Sequence, residues 1–148
     1  TFEHSIEVQL PWLQYLYGSD FKFVPVCFLL QDLESCREVG EAVAKVVTGK
    51  NALIIASTDM THYEPQKTAE KKDKAAIEAL LRLDEQGLCS TVEALNVSMC
   101  GSGPTVAAIA AAKALGAKLG RLLCYKTSGD ITGDYSAVVG YASIMFTR

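Results

Sequence analysis

Apolar residues recur at helical spacing at Ile6, Leu10, Leu13 and Leu16 or Tyr17, which predicts a helix over Phe2 to Tyr17 that Pro11 kinks or divides. Phe21 to Leu30 (FKFVPVCFLL) reads as a strand, and Pro25 puts an edge position or a bulge there. Leu33 to Val47 is helical, with Val39, Val43 and Val46 on one face and Gly49 as its stop. Ala52 to Ser57 (ALIIAS) is a short continuous apolar run, the pattern of a strand buried on both faces. Lys67 to Leu83 is an amphipathic helix with Ile77, Leu80 and Leu81 inward; its lysines, alternating with Glu70 and Asp73, read as a solvated face. Thr91 to Val97 reads as a further helix with Ser90 as N-cap. Cys100-Gly101-Ser102-Gly103-Pro104 is a turn, and Pro104 suits the first position of an Ala-rich helix reaching Leu115. Leu119 to Lys126 and Ala137 to Phe146 are the last strands, close enough in sequence to form an antiparallel pair. A polar Gly/Asp loop, Ser128 to Asp134, joins them. The alternation predicts an α/β layered αβα domain with a central mixed sheet.

With 148 residues the chain has the length of one domain. Hydrophobic residues make up 49 % and charged residues 21 %, so the chain is not disordered as a whole. A net charge of −3 argues against nucleic acid or an anionic membrane surface as the main partner. No apolar run approaches the roughly 18 residues a membrane helix needs. The five cysteines form no CxxC pair and read as reduced thiols of a cytoplasmic protein. No secretory leader pattern is present, and the chain opens at Thr1 inside patterned sequence. The expectation is a fragment whose N-terminal part is absent, or a product of processing.

Ligands of open α/β sheets sit beyond the carboxyl ends of strands, and the loop Thr58 to Tyr63 follows such an end. It holds His62 with Asp59 three residues earlier. An imidazole there can take or give a proton near neutral pH, with the carboxylate orienting it; equally, a histidine can simply fill a loop. Cys100 lies just before a Gly-rich turn that opens a helix. A thiolate at that point can be a nucleophile, a metal ligand or a redox centre, while most free cysteines are buried and structural. His4 and Glu7 share one helix face and can supply two ligands or an ordinary ion pair. Ser128, Asp130 and Asp134 belong to a loop that can bind a cation or serve as turn chemistry. Walker A, GxGxxG, GxSxG and HExxH patterns are all absent, which removes the common nucleotide-binding and hydrolase readings.

Taken in order, Glu3-His4-Ser5-Ile6-Glu7-Val8-Gln9-Leu10-Pro11, Ser57-Thr58-Asp59-Met60-Thr61-His62-Tyr63, Met99-Cys100-Gly101-Ser102-Gly103-Pro104, Ser128-Gly129-Asp130 with Gly133-Asp134, and Val139-Gly140-Tyr141-Ala142 resemble the Memo family. Its microbial members are called AmmeMemoRadiSam system protein B, and the resemblance spans essentially the whole chain. It implies a fold similar to the class III extradiol dioxygenases, which are non-haem iron enzymes. It further implies Cys100 as a metal ligand, His62 as the pocket acid/base with Asp59 beside it, and His4, Glu7, Ser128 and Asp130 near the same pocket. Two histidine ligands of the family fall in an N-terminal half that this chain does not contain; His4 belongs to a different motif. The resemblance therefore implies that this is the C-terminal part of one Memo-like domain, that the full-length protein binds iron or copper, and that a metal-dependent redox function acts on a small-molecule or peptide ligand. Two other readings stand beside it. One is a non-enzymatic peptide-binding or signalling scaffold with a vestigial pocket; the other is a nucleophilic enzyme using Cys100 and His62 without metal.

Overall fold

Pro11 falls in the first turn of a helix, where its missing N–H has no intrahelical partner to lose. A 3-10 turn, Glu7–Gln9, therefore runs into α1, Leu10–Tyr17, and the division expected at Pro11 is present. The computed structural model describes residues 4–148; the expected helix start at Phe2 lies outside the described residues. Helix α2, Leu33–Val47, has the expected bounds, and its N-cap Asp32 accepts the Ser35 N–H at 2.9 Å. Its buried residues are Cys36, Gly40 and Ala44; the valines flank them, and Val46 is exposed. The small-residue face wins because the Ala-rich α5, Ser102–Ala114, approaches it closely. A Cβ built on Gly40 would overlap the Ala107 carbonyl oxygen and lie 2.9 Å from Ala110 Cβ. Gly40→Ala should therefore destabilise the fold by about 1–3 kcal/mol through overpacking, despite alanine's higher helix propensity. Urea denaturation checks this, and an unchanged midpoint would contradict it.

Two helix starts differ from the sequence reading. Helix α4 is Glu85–Ala94 because Asp84 accepts the Gly87 N–H at 2.8 Å and caps it there, so Ser90 is mid-helix. Pro104 is the third residue of α5, still within the first turn. Helix α3, Gln66–Leu81, follows Pro65, and its buried side includes Ala69, Asp73, Ala76, Ile77 and Leu80. Asp73 is thus a correction: it belongs to the core face and not to the solvated one.

Strands β2, Leu119–Thr127, and β3, Val138–Thr147, form the expected antiparallel pair, with Tyr125 opposite Ala142. A short β1, His62–Glu64, pairs antiparallel with the other edge of β3, giving the order β1-β3-β2. A four-residue helix, α6 (Gly129–Thr132), sits in the loop between β2 and β3. Ile77, Leu80, Leu88, Met60, Met99, Val106 and Ile109 form the buried core, which Tyr125, Ala142, Ile144 and Phe146 of the sheet pack against. The fold is an α/β layered domain; the ladders among the described residues are antiparallel.

The two remaining expected strands are not formed. Residues 21–30 and 52–57 carry no ladder. Leu53 is 75 % exposed, so the ALIIAS run is not buried on both faces. A strand exists only through its neighbour's backbone groups, and an apolar run records a tendency to be buried without saying which strand supplies the pairing. Residues 52–58 instead line a groove of about 710 Å³ together with Ala142 to Phe146. No helix among the described residues is long and apolar enough to cross a membrane.

Candidate metal centre

The loop leading into β1 does not keep a regular strand. Met60 N–H donates to the Gly140 carbonyl and Gly140 N–H donates to the Thr61 carbonyl, each at 2.9 Å. Two residues on one strand thus oppose one on the other, which is a bulge. A second register shift follows between His62 and Glu64, where Tyr63 takes the left-handed conformation at φ 56°. Regular alternation sends successive side chains to opposite faces; the shift instead leaves the His62 and Tyr63 rings 5.9 Å apart.

Cys100 comes from the turn into α5. Gly101 there donates its N–H to Thr58 Oγ1 at 2.8 Å, and a Cβ at Gly101 would lie 2.7 Å from Thr58 Cβ. Glycine is thus what lets the helix start approach the loop. Gln31 fastens the same turn, donating to the Cys100 carbonyl at 3.2 Å and accepting the Gly103 N–H at 2.8 Å.

These two pieces bring Asp59, His62 and Cys100 together, with one potential ligand atom from each lying within 4.8 Å of the others. The convergence spans 41 residues between Asp59 and Cys100. His62 Nδ1 lies 2.7 Å from the Ser98 carbonyl. A carbonyl only accepts, so Nδ1 donates to it and Nε2 is the ring atom turned to the cluster. Nε2 lies 3.4 Å from Asp59 Oδ2. The Cys100 sulfur accepts the Asp59 N–H at 3.3 Å, with Thr58 Oγ1 at 3.6 Å. Three lone-pair donors of different chemistry therefore converge, which calls for a proton or a metal cation among them. An imidazole whose second nitrogen is fixed by a backbone carbonyl is the usual support of a metal-site histidine. Close by, burial and the charge of Asp59 push the Tyr141 phenol up.

The other residues named from the sequence make hydrogen bonds of their own. His4 and Glu7 pair with each other at 3.3 Å on the surface and are not in the cluster. Ser128 Oγ accepts the Val139 N–H at 3.0 Å, and Asp130 accepts the Thr127 N–H at 2.9 Å. Asp134 accepts from both Ser136 N–H and hydroxyl, which lower its carboxyl below the usual range. All three therefore serve the turn between β2 and β3. Ser98, Thr58 and Gln31 were not singled out by sequence, since their contribution is through hydrogen bonds to partners distant in the chain.

Five free thiols can be ranked. Burial pushes the Cys36 and Cys89 thiols up, so at a given pH less of each is thiolate. Cys27 and Cys124 are exposed. Both lie where exposure is high, in the unpaired segment 21–30 and at the irregular register of β2. On native alkylation with mass mapping, Cys36 and Cys89 should react last and Cys100 first, because its sulfur already accepts an N–H beside a helix start. Cys100 lagging behind Cys36 would contradict this.

Among the described residues of this layered α/β domain, Asp59, His62 and Cys100 form the group of side chains that could hold a metal ion. The family profile described as Memo-like protein matches residues 1–145, and the chain belongs to the Memo family. It is 60 % identical to the MEMO1 family protein MK0963 of Methanopyrus kandleri, over 99 % of this chain and 52 % of that protein. It is 53 % identical to MJ0403 of Methanocaldococcus jannaschii, over 95 % and 51 % respectively. A MEMO1 family protein of Methanosarcina acetivorans is 50 % identical, over 98 % and 55 %. The chain thus spans about half the length of the curated relatives it matches.

Proposed function

We propose that this chain supplies one wall of the metal centre of a Memo-type redox protein that takes iron or copper. The observation that supports it is the convergence of Cys100 Sγ, Asp59 and His62, with His62 Nδ1 spent on the Ser98 carbonyl. Mixed nitrogen, sulfur and oxygen donors suit those metals. Cys100 is the ligand contributed here. His62 holds or delivers a proton at Nε2, and Asp59 stabilises the protonated ring. Two histidines from outside this chain complete the ligand set. When bound, the metal supplies redox chemistry of the dioxygenase-like kind toward a small-molecule substrate. The five unpaired thiols fit a reducing compartment, the cytoplasm.

Anaerobic titration with Fe(II), Cu(I) and Co(II) under reducing conditions tests this on the 148-residue chain and on the full-length protein. The full-length protein should bind one equivalent tightly. The shorter chain should bind at least tenfold more weakly, because the chelate is incomplete. No binding by the full-length protein would leave the site to the peptide-binding scaffold reading.

A further inference from the structure

We propose that Asp73 is the positioning residue of this site: its carboxylate fixes the bulged backbone at Met60–Thr61 that brings Asp59 and His62 to Cys100. Asp73 comes from α3, is 0 % exposed, and directs its hydrogen bonds to groups other than the three convergent side chains. Its Oδ1 accepts the Thr61 N–H at 2.9 Å, and its Oδ2 accepts the Tyr125 hydroxyl at 2.8 Å. Thr61 is the second residue of the bulge and lies directly before His62. Its own hydroxyl is buried without a hydrogen-bond partner, so the side chain does not anchor the loop. Its carbonyl is taken by Gly140, and its N–H by Asp73.

The choice of residue follows from the partners. Both are donors, and only an ionised carboxylate accepts at both oxygens; asparagine would turn an NH₂ toward one of them. Burial, reinforced by Asp73, pushes the Tyr125 phenol up, so it remains a donor. A buried charge is expensive where plain packing would do. Here its two bonds run to β2 and to the site loop, tying the sheet to the loop at the residue before His62. Gly140 completes the arrangement, since a Cβ there would overlap Asp73 Oδ2.

The test uses Asp73→Asn and Tyr125→Phe in the full-length protein, with one readout that needs no metal. Nuclear magnetic resonance follows hydrogen exchange of the Asp59, Thr61 and His62 amides and of the His62 Nδ1–H bonded to Ser98. In folded Asp73→Asn, exchange of the Thr61 amide and the His62 ring proton should rise tenfold or more while the β2–β3 ladder amides stay protected. Cobalt(II) affinity should fall severalfold and by no more than about tenfold, because the Asp59 N–H that holds the Cys100 sulfur loosens with the loop. If Asp73→Asn does not fold, Tyr125→Phe carries the test, and it should raise His62 ring-proton exchange at least threefold. Site signals within twofold of the parent in a folded variant would overturn the proposal and leave Asp73 a purely structural residue. The metal measurement rests on the proposed function and the exchange measurement does not. A parent protein that ignores cobalt therefore sinks the metal reading alone.

Discussion

Cys100→Ala is expected to weaken Fe(II) and Co(II) binding by at least about a hundredfold, more than the 10–100-fold typical of removing a group behind the ligands. The sulfur is the only soft donor in the cluster and accepts the Asp59 N–H, so it is held in place before any metal arrives. Alanine removes the donor without adding bulk to an exposed turn, so the fold should be unaffected. His62→Ala is expected to retain binding within about tenfold, on the same scale, because its part is to carry a proton. The thiolate-to-cobalt absorption band should vanish in Cys100→Ala and persist in His62→Ala. The reverse order, with binding lost in His62→Ala and kept in Cys100→Ala, would refute the assignment of Cys100 as the ligand.

The site was legible where chemistry is concentrated in one side chain. Histidine is rare in this chain, and Cys100 precedes a glycine turn, so both stand out of the local pattern. The start of α2 at Leu33 and the division at Pro11 were legible, whereas the start of α4 was not, because its cap is Asp84 and not Ser90. Two things were hidden. The ladder of a strand lies in another segment, so FKFVPVCFLL and ALIIAS gave their apolar character but not their pairing. Asp73 was hidden by its lysine neighbours, although a signal was present. Ala69, Asp73, Ala76, Ile77 and Leu80 follow helical spacing, which places a carboxylate inside the apolar stripe of α3. A charge in such a stripe demands buried donors, and no local pattern says that they are a tyrosine 52 residues on and the backbone N–H of Thr61.

The same arrangement makes Gly140→Ala the substitution with the largest expected cost in stability. The new Cβ would overlap Asp73 Oδ2 and lie 3.2 Å from the Tyr125 hydroxyl oxygen. Asp73 is short and fully enclosed, so it can yield only by giving up its bonds to Tyr125 and Thr61. A buried charge stripped of its partners costs about 3–5 kcal/mol, and that is the destabilisation expected in urea denaturation. Strand geometry is not the issue, since alanine fits a β conformation with a gain in backbone order. The mechanism predicts coupling. Once Asp73→Ala has removed the carboxylate, the added methyl at Gly140 has room, so the double variant should be more stable than the two single losses sum to. A discrepancy of about 1–3 kcal/mol is expected for residues in contact. Additive losses, within about 0.5 kcal/mol, would mean that Gly140 answers to its own strand and not to the buried carboxylate.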